Sequence, residues 1–261
     1  MGRYLGQHFL IDPAVIATAL EHFLPTPEGI LEVGPGAMAL TEKLLEQPNK
    51  LFLVEKDDRL LPRIAKKLKN RPEALLCHDD ILLFDFTEAA SYFGAPFALI
   101  SNLPYHISTP FLERLVTHAH LFTKIQLLLQ KEVVKKVLST SGPKVTKVSL
   151  LLDLFYEKEA GPLVPPQAFS PPPQVDSQFL TLTPREVPLL PLCDLPLFAS
   201  LLHAAFNHRT HTLHWLSQKH RLPPLADTSH LKPTTKVEDL LITDWLQLFS
   251  SIHSCFLQRI L

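Results

Sequence analysis

Asn102-Leu103-Pro104-Tyr105 closes a short apolar run, Phe97 to Ile100. These residue types suit the holding of a planar aromatic amine. The lone pair of such an amine is delocalised into its ring. Two oxygen acceptors, one for each N–H, make the nitrogen more pyramidal and aim it at an electrophilic carbon. The Asn102 side-chain carbonyl and a backbone carbonyl at Leu103 or Pro104 supply that pair. Pro104 fixes the local backbone, and Tyr105 offers a flat face on which a flipped-out base stacks. An alkylated nitrogen loses its proton readily, so positioning and electrostatics carry the chemistry without a strong base.

A second constellation lies upstream. Gly34 and Gly36 fall between the apolar run Gly29–Val33 and a helical pattern starting near Met38. Glycines at a strand–helix turn let a ligand approach the backbone closely. Glu55 follows Gly34 by 21 residues at the end of the next apolar run, where a carboxylate grips a ribose diol. A nicotinamide dinucleotide and S-adenosylmethionine both fit this pattern, since Ala39 is an accepted variant of the third dinucleotide glycine. Asp80 is the candidate acceptor for an adenine amino group, with Asp79 as the exposed alternative.

Those residues need a scaffold. Asp12-Pro13 starts a helix, with Val15, Ile16, Ala19, Leu20 and Phe23 at helical spacing. Apolar strands at 29–33, 50–57, 73–80, 97–102 and 124–130 alternate with helical patterns, which indicates a parallel sheet with helices on both faces. After about residue 145 the pattern changes. The segment 148–160 and the segment 178–184 read as two strands of an antiparallel hairpin at the sheet edge. Pro184, Pro188 and Pro191 mark a linker, beyond which only helical patterns occur. The expected organisation is a domain over 1–185 and a small all-α domain over 191–261, with Trp215 and Trp245 in the core of the latter.

Composition narrows the class. The 261 residues are 46% hydrophobic and 20% charged, as in a folded globular chain. No apolar run approaches a membrane span and no secretory leader is evident, so a cytoplasmic protein without a membrane partner is expected. Cys77, Cys193 and Cys255 are odd in number and form no CxxC pair, which argues for reduced thiols. The formal net charge is −1, yet residues 56–71, 124–147 and 203–221 are locally basic. Such stretches track phosphates even in a neutral chain.

Several motifs then occur in one order: GQHFL (6–10), LEVGPG with LT (31–41), VEKD (54–57), NLPYHIST (102–109), LLLQKEV (127–133) and PPQAFSPPPQVDS (165–177). With them the chain resembles the ribosomal RNA adenine N6-dimethyltransferases of the kasugamycin-sensitivity type. The resemblance implies a class I, Rossmann-like methyltransferase sheet with a helical C-terminal domain, and S-adenosylmethionine as methyl donor. The implied substrate is a pair of adjacent adenosines in the 3′-terminal hairpin loop of small-subunit (16S) rRNA, within an immature ribosomal subunit late in assembly. Carried over by position, cofactor contacts fall on Gln7, His8, Leu10, Gly34, Glu55, Asp80 and Asn102, and catalytic roles on Asn102, Leu103, Pro104 and Tyr105. Phe169 would sandwich the target base opposite Tyr105. No metal is implied, and a monomer is expected.

This chain departs from its relatives in places. His8 stands where Asn is frequent. Met38 stands where many members carry a third glycine, and would pack near the methionine moiety. The helix around Arg209 is poorer in Arg and Lys than is usual, with His208 and His211 beside it, and Arg209 is left as its rRNA contact. His208, His211 and His214 do not converge on one ion, because positions six apart differ by roughly 120° around a helix. Two rival readings accompany the methyltransferase: a non-catalytic ribosome-assembly or RNA-binding factor on the same fold, and an NAD-dependent oxidoreductase, which leaves the tyrosine motif unexplained.

Overall fold

The computed structural model describes residues 7–24, 29–94, 96–220, 231–232 and 234–260. In chain order the elements are β1 (Phe9–Leu10), α1 (Pro13–Phe23), β2 (Ile30–Val33), α2 (Ala39–Leu44), β3 (Leu51–Glu55), α3 (Leu61–Leu68), β4 (Ala74–His78), α4 (Phe86–Phe93), β5 (Phe97–Asn102), α5 (Ser108–Thr117), β6 (Phe122–Gln130), α6 (Lys131–Leu138), α7 (Lys147–Phe155), β7 (Tyr156–Val164), β8 (Phe169–Ser170), β9 (Ser177–Pro184), α8 (Leu195–Phe206), α9 (Leu213–His220) and α10 (Ile242–Ile260). They fall into two compact units. The first comprises 1–134 and 156–185, the second 135–155 and 186–261.

The first unit is built on a seven-stranded sheet of order β4-β3-β2-β5-β6-β9-β7. The first five of these strands run parallel, and β9 and β7 complete an antiparallel edge. Strands β2, β3 and β5 are apolar runs because both their faces are covered; Ile30, Leu31, Leu51, Leu53 and Phe97–Leu99 are fully buried. Register matters for the site. Val33 lies beside Val54 on one side and Ser101 on the other, so the turns after β2, β3 and β5 open at one edge. The strand order reverses between β2 and β5, and ligand crevices of open α/β sheets form at such a switch point. Helix α1 begins where Asp12 caps it, accepting from the N–H groups of Ala14 at 2.8 Å and Val15 at 3.2 Å.

A separate two-stranded sheet pairs β1 antiparallel with β8, placing Leu10 opposite Phe169. The Ile11 N–H extends it to the Ala168 carbonyl at 2.8 Å. Two-residue strands carry no periodicity, and none was expected here.

The segment 148–160 departs from expectation. Its first part is helix α7 and only Tyr156–Val164 is strand. Thr146 and Ser149 cap the helix reciprocally: the Thr146 hydroxyl accepts from Ser149 N–H at 3.1 Å and the Ser149 hydroxyl from Thr146 N–H at 2.9 Å. Val148, Leu150, Leu152, Leu154 and Phe155 are all buried. A helix covered on nearly every side loses the 3.6-residue signal and reads as an apolar strand. Together with the second half of α6, from residue 135 on, it groups with the C-terminal helices.

In the second unit, Trp245 is fully buried and Phe198 packs against Phe249 with ring centroids 5.4 Å apart. Trp215 is not core. It is half-buried, with His211 at 4.2 Å, His208 at 4.8 Å and the Lys219 ammonium 4.7 Å over its ring. Arg209 is not a free RNA contact either. Its guanidinium donates to Glu238 at 3.0 Å and to the Pro143 carbonyl at 2.6 Å. Arg209→Ala is expected to cost roughly 2 kcal/mol, read as a drop of several degrees in Tm. The salt dependence of RNA binding stays as it was, because the side chain is committed internally. The side chain of Cys255 lies outside the described residues. Among the described residues no helix is long and apolar enough to cross a membrane.

Candidate active site

The cleft at the strand ends is bordered by Gln7, His8 and Leu10 of the arm, by Glu32 within β2 and Gly34 and Gly36 after it, by Glu55 at the end of β3 and Lys56 after it, by Asp79 and Asp80 after β4, and by Asn102 at the end of β5 and 103–107 after it. Four strand ends and the arm thus meet in one place.

The glycine turn is needed as glycine. Gly34 and Gly36 have φ of 67° and 56°, left-handed values that cost other residues roughly 1–2 kcal/mol. A side chain on Gly36 would also press on the Phe9 ring, at 3.0 Å from the added carbon. Met38 has φ 73° as well, a left-handed value unusual for a residue with a side chain. Its side chain is 1% exposed in the core and does not border the cleft, so the expected contact with a methionine moiety is corrected.

Glu55 is buried and organises the turn. One carboxylate oxygen accepts from Gly36 N–H at 3.1 Å and the other from Asp57 N–H at 2.8 Å. Each oxygen keeps a further lone pair. Asp80 accepts from the Lys56 ammonium at 2.6 Å and from Leu82 N–H at 3.0 Å. Burial alone would push its carboxyl up, but Lys56, the Leu82 N–H and Arg114 outweigh burial and hold it below the usual range. Asp79 and Asp80 are both half-buried, so exposure does not separate them. Asp79 caps the turn by accepting from Asp80 N–H at 2.7 Å.

After β5, the Ser101 hydroxyl donates to the Val33 carbonyl at 2.6 Å and ties the two central strand ends together. The Asn102 amide nitrogen donates to the His8 carbonyl at 3.0 Å. That bond leaves Oδ1 on the opposite branch of the amide as an acceptor. Pro104 adopts φ −56° and ψ 131°, and its carbonyl accepts from Ile107 N–H at 3.1 Å. Of the two candidate backbone acceptors, Leu103 is therefore the less committed. The Tyr105 phenol bonds the Ser177 hydroxyl at 2.8 Å. Burial pushes that phenol up, against a smaller opposing effect of Ser177.

His8 closes the cleft from the arm. Its Nδ1 lies 2.7 Å from the Pro171 carbonyl and its ring 5.5 Å from that of Tyr105, tilted by 31°. Phe169 is not brought to the cleft. It is 2% exposed within the apolar cluster that includes Leu10, where it anchors the arm through β8, and it does not border the cleft.

Glu32 escaped the reading of the sequence. It is 2% exposed, its Oε2 has no hydrogen-bond partner, and it borders the cleft. Burial pushes its carboxyl up to about 8, with a further push from Glu55 and an opposing pull from Thr41. The signal was present: an acid inside the apolar run Ile30–Val33, where an unpaired charge is costly. Among the described residues no cluster of His, Cys, Asp or Glu is arranged to hold a metal ion.

The ribosomal RNA adenine dimethylase family matches residues 2–254. The ribosomal RNA small subunit methyltransferase A of Xanthomonas campestris pv. campestris (strain B100) is 34% identical over 248 residues, covering 94% of this chain and 94% of its own. The protein of the same name from Variovorax paradoxus (strain S110) is 36% identical over 223 residues, covering 83% and 85%. A crystallised dimethyladenosine transferase from Plasmodium falciparum superposes with a TM-score of 0.80 at 21% identity, covering 95% of this chain and 98% of that one. The 23S rRNA methyltransferase ErmE superposes at 0.74 with 23% identity, covering 94% and 99%. The last two share the fold. With the family matched along almost the whole chain, the dinucleotide oxidoreductase is set aside: the chain belongs to the ribosomal RNA adenine dimethylase family and is an rRNA methyltransferase.

Proposed function

We propose that this chain uses S-adenosylmethionine to dimethylate N6 of two adjacent adenosines in the 3′-terminal hairpin loop of small-subunit rRNA, acting as a monomer on an immature subunit. One observation carries the reading. Asn102, Leu103 and Tyr105 border the same cleft as Gly34 and Glu55, so an amine-holding wall and a nucleoside-holding turn share one space.

The residues fit the donor. Glu32 presents an orphaned, buried carboxyl oxygen to the cleft, suited to an α-ammonium. Glu55 has lone pairs left for a ribose diol after its two N–H bonds. Asp80 suits an adenine amino group, and Gln7, His8 and Leu10 cover the cleft from the arm. When bound, the donor supplies a methyl group on a positively charged sulfur.

The protein's own part is orientation. Asn102 Oδ1 and the Leu103 carbonyl accept from the two N–H bonds of the target amine. The Nδ2 bond to His8 stops the amide from flipping and offering its donor side. Tyr105, held by Ser177, carries the base. Leu103, buried to 2%, keeps water from the back of the amide. The proton lost from the amine leaves to solvent, since the structure needs no base.

Incubation of the protein with unmethylated small subunits and isotopically labelled donor, followed by nucleoside mass analysis, tests this. N6,N6-dimethyladenosine carrying the label is expected. Label in another nucleoside, or in none, overturns the proposal.

A further inference from the structure

The basic stretches of the sequence separate, in the folded chain, into engaged and unengaged cations. Within 56–71, Lys56 donates to Asp80 at 2.6 Å, Arg59 to Asp57 at 2.7 Å, Lys67 to Glu42 at 2.9 Å and Arg71 to the Gln47 carbonyl at 2.9 Å. Within 124–147, Lys124 donates to the His22 carbonyl, Lys131 pairs with Asp176 at 3.2 Å and Lys147 meets His203 at 3.1 Å. Arg209 is bonded to Glu238. Arg63, Lys66 and Lys69 are exposed. Among the described residues none of these three forms an ion pair or a side-chain hydrogen bond; Arg63 adds only a smaller pull on Glu42, which Lys67 already holds.

Spacing puts the three on one element. Ile64 and Leu68 of α3 are buried in the apolar cluster of the first unit, which turns the intervening positions outward. Residues three apart on a helix are neighbours, so Arg63, Lys66 and Lys69 form a row. Lys69 closes the helix with helical angles, φ −52° and ψ −31°. Helix electrostatics accounts for Lys66 and Lys69, because the C-terminal end of a helix is partly negative. It does not account for Arg63. That residue lies in the first turn, which holds no acid and has no side-chain cap from Leu60, so its charge adds to the positive end of the dipole. A cation kept against the local preference points to a partner outside the chain. The exposed pair Lys135 and Lys136 on α6 lies in a last turn, where the dipole suffices.

We propose that Arg63, Lys66 and Lys69 form a phosphate-contacting surface for the rRNA substrate, separate from the cleft. Charge complementarity selects the occupant: a row of cations without anions of its own meets an RNA backbone. The row belongs to the unit that holds the cleft. Arg63 follows the cleft-bordering Lys56 by seven residues, so it lies within about 25 Å of that rim even along a fully extended chain. Contacts of this kind hold and orient a nucleic acid without reading its sequence. An rRNA substrate is all this surface requires; that the rRNA belongs to the small subunit rests on the function proposed above.

Filter binding of the whole chain to unmethylated small subunits, at several salt concentrations from about 0.05 to 0.3 M, tests the proposal, because the slope of log affinity on log salt counts phosphate contacts. Arg63→Gln is expected to reduce that slope by roughly 0.7–0.9. Combining it with Lys66→Gln and Lys69→Gln reduces the slope by roughly 2–3 and weakens binding at least about tenfold at 0.1 M salt. The Tm of Arg63→Gln does not fall, since a charge opposed to the helix dipole is removed. Lys43→Gln removes a cation bonded to Glu46 at 2.9 Å and leaves the slope unchanged. If the triple variant binds with the slope of the unaltered chain, the inference is overturned and the small-subunit reading stands. A slope that falls equally in Lys43→Gln also overturns it, since net charge alone would then act. So does a Tm that falls along with affinity in Arg63→Gln, which would assign the cation to the fold. If the unaltered chain binds neither the subunits nor rRNA extracted from them, the small-subunit reading and the inference fall together.

Discussion

Asn102→Ala is expected to lower the rate of methyl transfer by at least about 10³-fold while donor affinity changes by less than about tenfold. The asymmetry follows from where the amide is used. Its nitrogen is occupied by the His8 carbonyl, which in the proposed mechanism leaves the oxygen to serve the incoming amine. In the same proposal the donor is held mainly by other residues, Glu32, Glu55 and Asp80, which border the cleft from three different strands. Loss of an acceptor that matters only while the nitrogen becomes pyramidal appears in kcat and hardly in ligand affinity. Single-turnover label transfer and calorimetry on the same sample separate the two quantities. Activity near that of the unaltered chain would sink the mechanism. Loss of donor binding as large as the loss of rate would show that the amide instead supports the arm.

Glu32→Gln should change the pH dependence of stability more than any substitution on the surface. The folded chain holds the Glu32 proton up to about pH 8, against an ordinary value of 4.5. Below 4.5 both folded and unfolded forms are protonated and the group is silent. Between the two values the unfolded chain releases its proton and the folded chain keeps it, so stability falls as pH rises. Above 8 the loss is complete and constant. Each tenfold difference in proton affinity is worth about 1.4 kcal/mol, so the whole swing amounts to several kcal/mol. Glutamine has the same shape and no proton to lose. The variant is therefore expected to match the parent near pH 4.5 and to exceed it by several kcal/mol at pH 8–9, in urea unfolding at each pH. Stability profiles that run parallel across this range would refute the assignment. Glu32 is then a destabilising group retained at the cleft, as expected for a residue kept for a ligand.

Much of the first unit was legible from residue order. Buried strands such as Leu51–Glu55 announce themselves as apolar runs bounded by turns, and Asp12-Pro13 marks a helix start through its capping chemistry. The glycine turn, Glu55 and the Asn102–Tyr105 wall could be placed together because parallel strands deliver all their C-terminal ends to one edge. What failed had physical causes. Helix α7 is buried nearly all round and so carries no periodic stripe. Phe169 was assigned its stacking role through the family resemblance alone; its two-residue pairing with Leu10 leaves no trace in composition. Arg209 looked like a phosphate ligand because charge is visible in a sequence and its partner Glu238, 29 residues on, is not. Glu32 was legible in principle, since an acid within an apolar strand is itself a warning of function.

The pairing of β1 with β8 has a consequence for biosynthesis. His8 and Pro171 are 163 positions apart. While the polypeptide is being made, the arm emerges first; its bond to Asn102 can form once β5 is out, but its strand partner β8 and Pro171 follow only when the proline-rich stretch has also left the exit tunnel. The crevice thus completes its roof only after the five parallel strands beneath it have emerged, and a product terminated before β8 would have the floor of the crevice without its full cover.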